Sequence, residues 1–143
     1  MDSAPENVPV NFFKSQPLDA AQIEKFSQDA PGVFAIIAAT ATGPQWVYVG
    51  RTRLSVREQL AQLLTQPPAA ELAELMAAGQ LRFVSSVIRD WGASAAAEAF
   101  LVQELQPQYN QPMEGDFSAY QVKIKLHGVD ELRPAYHGHV ATA

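Results

Sequence analysis

The stretch QWVYVGRTRLSVRE, residues 45–58, joins an apolar strand to the first turn of a helix. Tyr48 stands between two valines in a short run that ends at Gly50, and this is the pattern of a strand. Ser55 and Glu58 then match the S-x-x-E capping box that begins many helices. A strand followed at once by a capped helix indicates a domain that mixes α and β structure.

Three arginines, Arg51, Arg53 and Arg57, lie at this strand-to-helix junction in a chain whose formal net charge is -5. The first turn of a helix carries free backbone N–H groups and partial positive charge, and arginines there reinforce a site for an anion. The alternative is a solvated turn in which the arginines pair with Glu58 or Asp90. The junction by itself leaves both interpretations open.

The flanking pattern predicts a small α/β (α+β) domain in which helices pack on a mixed or antiparallel sheet. Residues 33–38 form a near-continuous apolar run, as in a strand buried on both faces. Gly43 and Pro44 mark the turn to the return strand in residues 45–50. The other predicted elements are helices within 18–32, 55–64, 67–79 and 92–110 and strands within 81–90 and 117–128.

One compact domain is expected, because 143 residues is close to the commonest domain size. Residues 1–30 are predicted to form an N-terminal extension that starts as an extended lead-in and contains a short helix. Residues 31–111 carry the main α/β pattern. Residues 112–143 are predicted to add a C-terminal strand and a tail to the same domain.

The composition excludes several classes of protein. The chain has no cysteine, which excludes a disulfide framework, a thiolate zinc site and a cysteine nucleophile. No apolar run reaches the length of about 18 residues that a membrane span needs, and the start lacks the pattern of a secretory signal. We therefore expect a cytoplasmic protein with no membrane contact. The acidic net charge counts against nucleic-acid binding through the overall field of the protein, so such a contact has to be local.

Glu98 lies on the apolar face of its predicted helix, because Leu101, Val102 and Leu105 follow it at helical spacing. The cap predicted for this helix is Ser94. A carboxylate that points toward a core needs a partner, since burying a bare charge is costly. The predicted partner is an arginine, a metal ion or water at the rim of a cleft. The alternative is that Glu98 reaches solvent at the edge of the domain.

Five short matches follow one another along the chain: Gly32-Val33-Phe34, Tyr48-Val49-Gly50, Arg57, Glu98 and Pro107 to Asn110. Their order resembles that of the motifs of the GIY-YIG nuclease superfamily. The resemblance spans roughly residues 31–111, which is most of the chain. It implies the fold of that family for this region.

The resemblance implies a metal-dependent endonuclease that hydrolyses DNA phosphodiester bonds with one divalent cation, Mg²⁺ or Mn²⁺. Glu98 would hold the metal, which polarises the phosphate. Arg57 would stabilise charge on the phosphoryl oxygens. Tyr48 would position the phosphate or the water, and Asn110 would brace the site. For Tyr48 the alternative is a packing role, which is the commoner one for a tyrosine on a strand.

Arg51 resembles a basic residue that follows the second motif in some repair-type members of the family. Its place in the motif implies contact with the DNA phosphate, and Arg53 beside it is predicted to share that role. The segment from Tyr48 to Arg57 is one residue shorter than the common spacing, so Arg57 would be rotated on its helix relative to the family position.

Two positions depart from the family pattern and predict a second function. The tyrosine of the first motif is Phe34 here, and the histidine or tyrosine one turn after the family arginine is Ala61. Neither side chain moves a proton, and loss of a positioned general base costs about 10²–10⁴-fold in rate. The alternative to an active nuclease is therefore a degenerate module, a pseudoenzyme that binds nucleic acid or binds a protein partner through residues 1–30 or 112–143.

Two of the three histidines of the chain, His137 and His139, lie in a polar HGH sequence in the tail. No acidic residue stands next to them, so they are interpreted as ordinary tail residues. Metal binding, or replacement of the missing base, is the alternative.

Overall fold

The computed structural model describes residues 5–127 and 140–142, so His137 and His139 lie outside the described residues. The strands within these ranges are β1 (Glu6–Phe12), β2 (Gln16–Pro17), β3 (Gly32–Thr40), β4 (Gly43–Thr52), β5 (Leu81–Val87), β6 (Tyr120–Leu126) and β7 (Val140–Thr142). The helices are α1 (Ala20–Phe26), α2 (Val56–Leu63), α3 (Ala70–Ala77) and α4 (Trp91–Leu105).

The strands form two sheets. β2, β5, β3 and β4 make an antiparallel sheet in that order, and β1, β6 and β7 make a parallel one. The predicted α+β class with a small sheet and packed helices is confirmed, but the second sheet was not predicted. β1 pairs with β6 from Glu6 opposite Tyr120 to Phe12 opposite Leu126, so the two predicted extensions pair with each other. The segment predicted as an extended lead-in is therefore a strand.

The predicted hairpin is confirmed as β3 and β4, and alternate residues of β3 face two different cores. Val33 belongs to a core cluster that includes Leu101 of α4. Phe34 belongs to a second cluster that includes Leu60 of α2. The sheet therefore separates α4 on one face from α2 on the other, because side chains alternate along a strand.

β4 continues past the predicted end at Gly50 and includes Arg51 and Thr52. Arg51 lies opposite Val33 in the β3–β4 register. Directly opposed residues in an antiparallel pair project to the same face of the sheet. Arg51 is therefore directed to the face that α4 covers.

The helix caps follow the sequence in two of three cases. Asp19 accepts a hydrogen bond from the Gln22 amide at the start of α1, and Ser55 accepts one from the Glu58 amide at the start of α2. The predicted cap of α4, Ser94, is wrong. That helix begins earlier, at Trp91, because the Asp90 carboxylate accepts from the Ala93 amide at 2.8 Å.

No helix in residues 5–127 or 140–142 combines the length and the apolar character that a bilayer span requires.

Candidate functional site

Glu98 and Arg51 form an ion pair between α4 and the end of β4. The distance from Arg51 Nε to Glu98 Oε1 is 3.3 Å, and the side chains are 21% and 17% exposed. Arg51 projects from the sheet face that α4 covers, and Glu98 lies on α4, which explains how the two side chains meet. Of the three partners predicted for the Glu98 carboxylate, the structure supplies an arginine.

Arg51 has further contacts that hold it in place. One terminal nitrogen, Nη1, donates to the Trp91 carbonyl oxygen at 3.2 Å and lies 3.5 Å from Ser94 Oγ. The guanidinium carbon is 3.7 Å from the centre of the Trp91 ring. Arg51 therefore connects the end of β4 to the first turn of α4.

Arg57 lies on α2 and is directed to α1. Its Nη2 donates to the Ser27 carbonyl oxygen at 2.8 Å, and its Nη1 is 3.7 Å from Glu24 Oε1. Its Nε is buried and has no hydrogen-bond partner among the described residues. These contacts engage Arg57 in joining α1 to α2. Its catalytic role stays a prediction.

Phe34 packs over Gly50, inside the core that α2 covers. Phe34 is 1% exposed, and its ring centre lies 6.2 Å from that of Tyr48. A Cβ atom at Gly50 would stand 2.4 Å from Phe34 Cζ, so the ring needs the glycine. Ala61 is exposed on α2. Neither position offers a group that transfers a proton.

Asn110 binds the outer edge of β4. Its Oδ1 accepts from the Val49 amide at 2.7 Å, and its Nδ2 donates to the Val49 carbonyl oxygen at 2.9 Å. The Tyr109 amide donates to the Val47 carbonyl oxygen at 2.9 Å. The segment after α4 therefore covers the backbone groups that an edge strand would leave unpaired. The role of Asn110 in bracing a catalytic site stays a prediction.

The electrostatics of the site are dominated by burial. Burial raises the pKa of the Glu98 carboxyl above its ordinary value, and the Arg51 guanidinium opposes this shift by a smaller amount. Burial also raises the pKa of the Tyr48 hydroxyl, and the negative charge of Glu98 raises it further. Tyr48 is therefore a neutral hydroxyl near neutral pH that senses the Glu98 charge.

The shift of Glu98 predicts how stability depends on pH. Because the pKa of Glu98 is raised in the folded state, the folded chain holds this proton more tightly than the unfolded chain. The stabilisation is complete below the ordinary pKa of 4.5 and is lost as the pH rises through the higher folded pKa. Urea unfolding of the wild type and of Glu98→Gln, across about pH 4 to pH 8, measures this contribution as the difference between the two proteins. If the wild type became more stable relative to Glu98→Gln as the pH rises, the prediction would be contradicted.

Trp91 is a residue of the site that the sequence reasoning missed. Trp91 is the first residue of α4 and is 38% exposed. Its ring contacts the guanidinium of Arg53 in addition to that of Arg51, and the Arg53 guanidinium carbon lies 4.4 Å from the ring centre. The sequence signal that could have identified it is the pair Asp90-Trp91. With Asp90 as the helix cap, Trp91 is the first residue of α4.

A groove of about 640 Å³ lies on the other face of α4 and does not include the ion pair. Phe100 and Gln103 of α4, Met113 and Phe117 of the following loop, and Val122 of β6 are among its lining residues. Asn110 also reaches it. The lining residues that the structure describes include no charged side chain.

Comparison with known proteins gives a likeness of fold. No family model matches the chain, and no curated protein matches it. The chain is similar to a point-mutant structure of the GIY-YIG N-terminal endonuclease domain of UvrC from Thermotoga maritima, bound to its catalytic divalent cation, with 19% identity and a TM-score of 0.45. This likeness covers 63% of the chain and 96% of that domain.

A second point mutant of the same domain, also bound to the catalytic divalent cation, has 21% identity, a TM-score of 0.43 and the same coverage of 63% and 96%. Both structures come from the family that the sequence motifs resemble. At this level of identity the likeness carries nothing about activity.

Proposed function

We propose that this chain is a nucleic-acid-binding module on a GIY-YIG-like fold, which contacts the phosphate backbone without hydrolysing it. The observation that carries the proposal is the ion pair between Arg51 Nε and Glu98 Oε1 at 3.3 Å. In the metal-dependent alternative, the Glu98 carboxylate has to hold a cation. Here a guanidinium already takes that place.

The ion pair of Glu98 with Arg51 counts against a divalent metal at this carboxylate. Mg²⁺ is held in proteins by one or two carboxylates together with water and substrate oxygens. The carboxylate available is Glu98, and a second cation near it would be repelled by the charge of Arg51. Among residues 5–127 and 140–142, no group of three or more His, Cys, Asp and Glu side chains gathers. Binding of a phosphate by arginine side chains requires no metal.

The groups that would move protons are also missing. Phe34 is buried and aromatic, and Ala61 ends in a methyl group. Each loss of a positioned acid or base corresponds to about 10²–10⁴-fold in rate. Hydrolysis at this site would have to proceed without either of them.

Phosphate binding, in contrast, needs only cations, and these are present. Guanidinium groups bind phosphate oxygens through paired, charge-assisted hydrogen bonds. Arg51 and Arg53 stand together at the end of β4 in a chain with a net charge of -5. Because the contact is local, we expect a shallow salt dependence, with a slope of roughly -1.5 in log K against log salt for two phosphate contacts.

A metal-dependent DNA endonuclease is the second candidate. It is favoured by the half-buried Glu98 carboxylate, whose charge acts on Tyr48, and by Asn110, which holds β4 at Val49. In that function Glu98 would hold Mg²⁺ or Mn²⁺, and Arg51 would have to move to the substrate.

One experiment separates the two candidates. Labelled single-stranded, duplex, branched and nicked DNA are incubated with the protein and either Mg²⁺ or Mn²⁺, and both cleavage and fluorescence anisotropy are measured. We expect binding with no cleavage, and weaker binding by Arg51→Ala. Lys123→Ala, which removes one positive charge from an exposed position on β6, is the control and should bind as the wild type does.

Each outcome has a consequence. Cleavage that needs the metal and disappears in Glu98→Ala would establish the second candidate in place of the first. Failure to bind any of the four kinds of DNA would overturn both.

A further inference from the structure

The exposed side of the site is a cluster of one tryptophan and two arginines, which we call the Trp–Arg cluster: Arg51, Arg53 and Trp91. The guanidinium carbons of Arg51 and Arg53 lie 3.7 Å and 4.4 Å from the centre of the Trp91 ring. Cations at such distances are attracted by the face of an aromatic ring. Trp91 is 38% exposed, so part of this residue is accessible to a ligand.

The two arginines of the cluster differ in what holds them. Arg51 is fixed by Glu98 and by the Trp91 carbonyl oxygen. Arg53 is exposed, and in the part of the chain that the structure describes no carboxylate lies within ion-pair distance of it. Arg53 is therefore a cation that can leave the ring for an anion without breaking an ion pair.

We propose that the Trp–Arg cluster binds an unpaired nucleotide, with the base stacked on Trp91 and the adjoining phosphate bound by Arg53. This inference rests on the proposed function and names its ligand class as single-stranded nucleic acid. A nucleotide carries a flat ring system and an anionic phosphate in one residue, which matches a flat ring and a free guanidinium in one cluster. Bases in a duplex are already stacked on their neighbours, so an unpaired base is the form that reaches the ring.

An acidic peptide is a less suitable ligand for this surface. Its carboxylates would pair with the Arg53 guanidinium, but they would make no use of the exposed indole of Trp91. The overall charge of -5 also opposes binding of polyanions in general. Selectivity for the base is therefore the property that identifies the ligand.

The test compares three labelled DNAs by anisotropy: octathymidylate, an octamer of abasic sites with the same number of phosphates, and a short duplex. We expect octathymidylate to bind tightest and to quench tryptophan fluorescence, while the abasic octamer binds without quenching. The chain has two tryptophans, and the other one, Trp46, is 8% exposed in the core. Loss of the quenching in Trp91→Phe would assign it to the cluster.

Variants of the cluster are expected to change the affinity for DNA by definite amounts. Trp91→Ala should weaken octathymidylate binding by about 5- to 150-fold, the usual worth of one base–aromatic stack, and should leave the abasic octamer unchanged. Arg53→Ala should weaken both. Leu54→Ala, at a neighbouring residue that is 74% exposed, is the control and should change neither. Thermal melting of each variant checks that it folds.

The outcomes separate this inference from the proposed function. Binding of all three DNAs with equal affinity and no quenching would overturn the unpaired-base inference and leave phosphate binding intact. Equal binding of polyglutamate would also overturn it. Absence of binding to any of the DNAs would overturn the proposed function, and this inference with it.

Discussion

Replacing Gly32 by alanine is expected to destabilise the domain more than any other single methyl addition in its central sheet. A Cβ atom at Gly32 would stand 2.1 Å from the Ser86 carbonyl oxygen and 3.0 Å from Val87 Cα. Both obstacles are backbone atoms of β5, so they cannot rotate away as a side chain would. Overpacking in a core typically costs about 1–3 kcal/mol and occasionally more, and we expect at least the upper figure here.

The measurement is thermal unfolding of Gly32→Ala, with an expected fall in Tm of roughly 6–12 °C for a loss of about 3 kcal/mol. Gly50→Ala is the matched variant, because its added Cβ meets the ring of Phe34 rather than backbone. Trimming Phe34 to leucine should relieve the effect at Gly50 and not the effect at Gly32. A Gly32→Ala protein that melts within a degree or so of wild type would show that β3 and β5 do not approach this closely.

The second large effect is expected for Asn110→Ala. Asn110 satisfies both the amide and the carbonyl of Val49, which is 1% exposed. Without the side chain, both buried backbone groups lose their partner, and each unsatisfied group costs about 1–3 kcal/mol. We expect a loss of roughly 2–4 kcal/mol in the free energy of unfolding, measured by urea denaturation.

Two variants sharpen this test. Asn110→Asp keeps an acceptor for the Val49 amide but loses the donor to the Val49 carbonyl, so its effect should be large and still smaller than that of alanine. Gln111→Ala changes the next residue, which is exposed, and should stay within about 0.5 kcal/mol of wild type. If Asn110→Ala and Gln111→Ala were equally stable, the edge of β4 would be covered by some other means.

Local patterns predicted much of the fold. The hairpin was found from an apolar run, a Gly-Pro turn and a second apolar run, and the starts of α1 and α2 were found from Asp19 and Ser55. Each of these signals concerns residues a few positions apart. The interactions that produce them, turn formation and helix capping, are also between residues close in the sequence. The start of α4 failed because Asp90 and Ser94 are both good capping residues, and nothing local decides between them.

The second sheet could not be predicted from local sequence patterns. The segment around Pro9 reads as a lead-in, since proline cannot donate a backbone hydrogen bond and is rare in the middle of a sheet. β1 nevertheless pairs in parallel with β6, and both strands contribute side chains to one core, with Val10 and Ile124 at 0% and 3% exposure. The burial of these apolar residues outweighs the local preference of proline against strand structure. That burial requires β6, which is far from β1 in the sequence.

For the candidate site, too, some features follow from the sequence and others only from the tertiary structure. By itself, the sequence placed Glu98 on a buried helix face, required a partner for it and put three arginines at one junction, because helical and strand periods fix which face a residue takes. Only the tertiary structure decided that Arg51 is the partner, that Arg57 joins α1 instead, and that Trp91 completes the cluster. The physical reason is that distances between elements are set by how the sheet separates α2 from α4, and no spacing along the chain contains that information.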